Sequence, residues 1–191
     1  RATSTGNWQR AKNSADFTLQ PGEAVVIETT LRLSDADGTF SNADNFMIGF
    51  AEQTQHAGAS TPSIGSRIHT LSDGSYWFGE NAPDRQISVS AADAGDWIRF
   101  TQTIWRGTNA NEFLGSIAAT NLTKGVDLGS TATLWTQSTT DGSWGGVMNA
   151  SFRTLQNSAA TALEIDHWRV TTTNVPLPET TASLELTAGN H

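Results

Sequence analysis

A chain of 191 residues with no cysteine, 19 acidic and 11 basic side chains and a formal charge of −8 is long enough for one domain with a sizeable core, and it excludes a disulfide framework, thiolate metal centres and a cysteine nucleophile. Its only lysines are Lys12 and Lys124 and its arginines are scattered, which argues against nucleic acid and against an anionic membrane surface as partners. No apolar run approaches the ~20 residues of a membrane span, hydroxyl and amide side chains are abundant, and the chain opens at Arg1 rather than Met, a set of features that accords with a secreted or cell-surface β-protein freed of its export signal.

In chain order, residues 24–34 alternate, with Val25, Ile27, Thr29, Leu31 and Leu33 on one face and Val26, Glu28, Thr30 and Arg32 on the other, the pattern of a half-buried strand. Residues 45–53 repeat it with Phe46, Ile48 and Phe50 inward, and 75–79, 87–91 and 132–136 read as shorter strands. Between them, 34–44, 72–75, 81–85 and 139–146 are rich in Asp, Asn, Gly and Ser, the residues of turns. Residues 91–94 alone have the makings of a helix. Two long strands, 96–108 and 112–123, are separated by Asn109, Ala110 and Asn111 and predict a hairpin at the centre of a sheet. In the first, Ile98, Phe100 and Ile104 share one face, and Trp97, Arg99, Thr101, Thr103 and Trp105 share the other. Roughly a dozen strands at this spacing predict an all-β, two-sheet antiparallel sandwich, with a domain over residues 1–174 and a proline-containing extended tail over 175–191.

The last strand of the domain, 162–173, reads Ala-Leu-Glu-Ile-Asp-His-Trp-Arg-Val-Thr-Thr-Thr. Leu163 and Ile165 have one parity, Trp168 and Val170 the other, and a one-residue bulge would turn all four into the core. This strand resembles the closing Ile-Asp-x-x-Arg-Val strand of laminin-G-like, concanavalin A-like jelly rolls, and the resemblance implies that fold for most of the chain. The following run, Asn174-Val175-Pro176-Leu177-Pro178-Glu179-Thr180, resembles the Val-Pro-Glu-Pro-x-Thr sorting region of bacterial PEP-CTERM exported proteins, with the Pro-Glu-Pro order broken.

Glu164 and Asp166 fall on one face by alternation, and laminarinase-type glycoside hydrolases of the same fold carry Glu-x-Asp-x-x-Glu on one strand. Retaining hydrolysis needs two carboxylates about 5 to 5.5 Å apart; here the third acid of that pattern is replaced by Arg169 and no other pair of acids sits on the strand, so no enzymatic activity is expected. His56, His69 and His167 have no metal-ligand spacing. The cluster Asp35, Asp37 and Asp44 gathers hard oxygen ligands on one turn and is the candidate calcium site. Trp97, Trp105 and Trp144 are the candidate sugar-stacking rings, because the first two lie on the polar face of their strand and the third sits in a Gly-rich loop. Trp8, Trp77, Trp135 and Trp168 are expected in the core.

In the tail, Ala182, Leu184 and Leu186 alternate with polar residues, forming a candidate strand with no hairpin partner. Such a strand either folds back or completes the sheet of another copy. The expectation from sequence is therefore a non-catalytic extracellular structural subunit that associates with copies of itself through this strand. A carbohydrate-binding, lectin-like module that recognises an extracellular polysaccharide is the alternative.

Overall fold

The computed structural model describes residues 9–17, 19–20, 22–35, 45–52, 63–80, 83–107, 112–136, 148–155 and 161–173. Within them the strands are β1 (Gln9–Phe17), β2 (Ala24–Asp35), β3 (Asn45–Glu52), β4 (Ser63–Thr70), β5 (Tyr76–Gly79), β6 (Gln86–Val89), β7 (Ile98–Arg106), β8 (Glu112–Asn121), β9 (Val126–Thr136), β10 (Met148–Leu155) and β11 (Thr161–Thr173). They pair into a six-stranded sheet ordered β1-β10-β3-β4-β5-β6 and a five-stranded sheet ordered β11-β2-β7-β8-β9, and every pairing is antiparallel. This is the two-sheet antiparallel sandwich that the alternation predicts. Among the described residues the only helix is a single 3-10 turn, Pro83–Arg85.

The core is the meeting of two inner faces. Val25, Ile27, Leu31 and Leu33 of β2 and Ile98, Phe100 and Ile104 of β7 pack in one cluster with Phe46, Ile48, Ile68, Tyr76 and Phe78 of the six-stranded sheet. The Phe100 ring lies 4.4 Å from that of Phe78 and 6.4 Å, edge-on, from that of Tyr76, so aromatic packing joins the layers. A polar tie crosses with them: the Ser66 N–H donates to Gln102 Oε1 at 3.2 Å. Trp77 is buried as expected. Gly49 of β3 pairs with Gly65 of β4, and a Cβ on Gly65 would stand 2.4 Å from the Ile48 carbonyl oxygen, so this close approach requires glycine.

The structure departs from expectation in four places. Residues 91–94 form successive turns, in which Ser90 O accepts the Asp93 N–H and Asp93 O the Asp96 N–H; Gly95 and Asp96 are poor helix formers and stop propagation. The short strand at 132–136 begins at Val126, and its first half hides behind a register shift and Gly129 at φ 106°, where Asp127 Oδ1 accepts the Gly129 N–H. Strands β1, β4 and β10 have no counterpart in the alternation reading. Finally, the bulge in β11 exists between Ile165 and His167, and it turns Leu163, Trp168 and Val170 to the core, but Ile165, beside the bulge on an edge strand, stays 38% exposed.

Candidate functional site

The outer face of the five-stranded sheet is set by the parity opposite to the core. Across its upper end the strand register places Glu164 of β11 beside Arg32 of β2, with Trp97, the residue before β7, next in the row. Arg32 Nε donates to Glu164 Oε2 at 3.1 Å, the two side chains form an ion pair, and the guanidinium lies over the Trp97 ring at 4.8 Å from its centroid. Carboxylate, guanidinium and indole thus hold one another, a cation–π contact worth about 0.5–1 kcal/mol at an exposed site.

Beside this stack opens a cleft of about 340 Å³ lined by Thr30, Trp97, Leu122, Thr123 and Asp166, inside the range of roughly 300–1,000 Å³ usual for small-ligand pockets. Its chemistry is mixed in a particular way. Trp97 and Leu122 supply apolar surface, Thr30 and Thr123 hydroxyls, and Asp166 an exposed carboxylate that forms no ion pair among the described residues. Asp166 is the bulged residue of β11, so the irregularity that repairs the core parity also aims a carboxylate at the cleft.

Three of the five lining residues are held by one polar knot. The Trp97 N–H donates to Thr123 Oγ1 at 2.9 Å, and the Leu122 N–H to Trp97 O at 2.8 Å. Next to them Lys124 Nζ donates to Asp93 Oδ1 at 2.7 Å and to Ala92 O at 2.9 Å, and it lies 3.1 Å from Asp96 Oδ2. Asn121 Nδ2 bonds the same two carboxylates at 3.1 and 2.7 Å. Hydrogen bonds from Lys124 and Ser90 hold the Asp93 carboxyl below its ordinary range, hydrogen bonds from Asn121 and Lys124 do so for Asp96, and the two carboxylates raise Lys124. The knot ties the 91–96 turns to the β8–β9 turn and so fixes the wall that carries Trp97.

The other sequence candidates are spread out. Trp105 occupies the same outer parity of β7 as Trp97, at the opposite end, and is half-buried. Trp144, Asp37, Asp44, Ala182, Leu184 and Leu186 lie outside the described residues, as does the tail as a whole. Asp35 ends β2 opposite Thr161. Among the described residues no three His, Asp or Glu side chains converge as a metal site; the Asp93–Asp96 pair already holds an ammonium. His167 stands 3.5 Å from Glu28, with Arg169 3.6 Å from the same carboxylate, and the His69 ring packs tilted against Trp77, 5.1 Å between centroids, where burial and then Arg67 lower its pKa. Thr30, Leu122 and Thr123 were not singled out by sequence, and Asp166 only as a possible hydrolase carboxylate beside Glu164; the signal that turns it to the cleft is the parity switch in its strand.

A lectin from Bauhinia forficata in complex with GalNAc matches this structure with a TM-score of 0.58 at 13% identity, over 86% of this chain and 79% of its own. Arcelin-5, a lectin-like defence protein from Phaseolus vulgaris, matches at 0.56 and 8% identity over 89% and 81%, and a legume lectin-like domain from Entamoeba histolytica at 0.52 and 11% over 91% and 82%. The likeness is one of fold. The chain has the concanavalin A-like jelly-roll fold that these lectins share, and these matches give no support to the laminin-G-like or PEP-CTERM resemblances in particular. No protein-family model matches the sequence, and no curated protein sequence does.

Proposed function

We propose that this chain is a carbohydrate-binding, lectin-like module of the extracellular space that holds a saccharide in the cleft at Trp97. The observation that carries this reading is the composition of the cleft. A sugar ring presents C–H faces that pack on an indole and hydroxyls that need oriented acceptors and donors, and Trp97 with Asp166, Thr30 and Thr123 offers both within one cavity. The lectin-like folds of its structural relatives support the same reading. It replaces the self-associating subunit as the main conclusion, because that reading rests on the tail strand alone.

The proposal is for binding without catalysis. Glu164, one of the two acids on this strand, is committed to Arg32, which leaves Asp166 without a second free carboxylate beside it, whereas glycoside hydrolysis uses two. The test is a glycan array followed by titration of the bound glycan with intrinsic tryptophan fluorescence as readout. Binding is expected, with Trp97→Ala lowering affinity at least about tenfold, the loss usual for an aromatic anchor, and Asp166→Asn lowering it by a smaller factor. An empty array, or full binding by both variants, refutes the assignment.

A further inference from the structure

We infer that the saccharide at Trp97 is part of an unbranched polysaccharide that lies along β7, across the outer face of the five-stranded sheet, and reaches Trp105. The inference rests on the carbohydrate-binding reading above and adds its ligand class.

Trp97, just before β7, and the outward side chains of β7, Arg99, Thr101, Thr103 and Trp105, form one row, while the intervening residues are buried. The two indoles are separated by about 27 Å of extended strand, the length of roughly five sugar rings joined end to end. What lies between them is mostly polar, with exposed Arg99 standing in the row. Thr103 pairs with Ser116 and Arg99 with Thr120 on β8, so Thr101, Thr103, Ser116 and Thr120 line the path with hydroxyls, all of them half-buried. On the β2 side Glu28 pairs with Thr101, and its carboxylate is fixed between His167 and Arg169. Arg99 is exposed and has no ion pair among the described residues. A single sugar needs only the cleft at Trp97. A second half-buried tryptophan on the same parity, at the far end of a strip lined mainly by hydroxyls, with Val26 opposite Thr103 and Ala118 opposite Thr101 as its apolar members, fits a ligand with repeating C–H faces and hydroxyls, which is an extended glycan.

Isothermal titration of the full chain with ladders of β-linked glucose, mannose and galactose oligomers, from disaccharide to octasaccharide, tests this. Affinity is expected to climb with length and level off near about five rings. Trp105→Ala is expected to cut affinity for the long oligomers about tenfold and leave the shortest unchanged. Because Trp105 is half-buried, Thr103→Arg provides a second variant: it obstructs the path from the solvent side and is expected to abolish the length dependence at unchanged melting temperature. Affinity that levels off at the disaccharide, or length dependence that survives both variants, overturns the inference and leaves the Trp97 reading intact. If no ladder binds and the array is also empty, both fall; if the array identifies a glycan while every ladder fails, the inference alone falls.

Discussion

The inward row of β7, Ile98, Phe100, Gln102 and Ile104, is exposed by 1% or less, whereas the outward row, Trp97, Arg99, Thr101, Thr103 and Trp105, is half-buried or exposed. The nine-residue strand and the residue before it thus serve the sandwich on one side and the candidate site on the other. Period-two geometry keeps the two jobs separate, because a substitution on one parity leaves the other in place. The separation can be broken deliberately, and the expected effects differ in size.

The largest effect belongs to the inner row. Phe100→Ala removes a ring packed on Phe78 and Tyr76 and is expected to cost about 3–5 kcal/mol in stability, measured by urea unfolding, while saccharide affinity of the folded fraction is retained. A stability loss under about 1 kcal/mol would show that the core is less tightly joined than this. Next comes Trp97→Ala, which is expected to do the reverse, with affinity lost and the unfolding midpoint nearly kept. Loss of both together would show that the Arg32–Trp97 stack supports the fold as well as the cleft.

Lys124→Met tests the wall between the two rows. It is expected to lower the melting temperature and weaken binding severalfold, since Trp97, Leu122 and Thr123 are held through that knot. The pH dependence has a definite sign. Asp93 and Asp96 have folded pKa values below 3.8, so their contribution is complete above the unfolded value and is lost as pH falls through the depressed one. Lys124 is raised above 10.5, so its contribution holds below that value and is lost as pH rises past the raised one. Thermal melts from pH 2 to pH 7 are expected to show a steeper acid limb in the native protein than in Lys124→Met; equal limbs would remove the knot from the account. The smallest effect is Ile165→Thr on the exposed edge, expected within about 0.5 kcal/mol of the native protein.

The strands with apolar alternation were legible in the sequence because a half-buried strand writes its two faces into every second residue, as 24–34 and the paired long strands do. Strand β1, Gln9–Phe17, carries almost no large apolar residue and is held by pairing with β10 at the sheet edge, so nothing in its own composition announces it. The cleft was legible only in part. Trp97 was visible as an outward aromatic, but Thr30, Leu122 and Asp166 come from distant parts of the chain and meet because β11 lies beside β2 and β2 beside β7. That order follows from long-range pairing, which no local pattern encodes.

The bulge at Asp166 bears on how this protein behaves at high concentration. At 13 residues, β11 is a long edge strand among the described residues, and a straight edge of that length is a template on which another chain's strand can stack and seed a fibril. The irregular step between Ile165 and His167 divides the edge into two shorter runs out of register with each other, and exposed Asp166 and Arg169 place charge at and just beyond the break. An incoming strand meets a kinked, charged border there, so that stretch of the molecule is guarded against cross-β stacking by the same residue that reaches into the cleft.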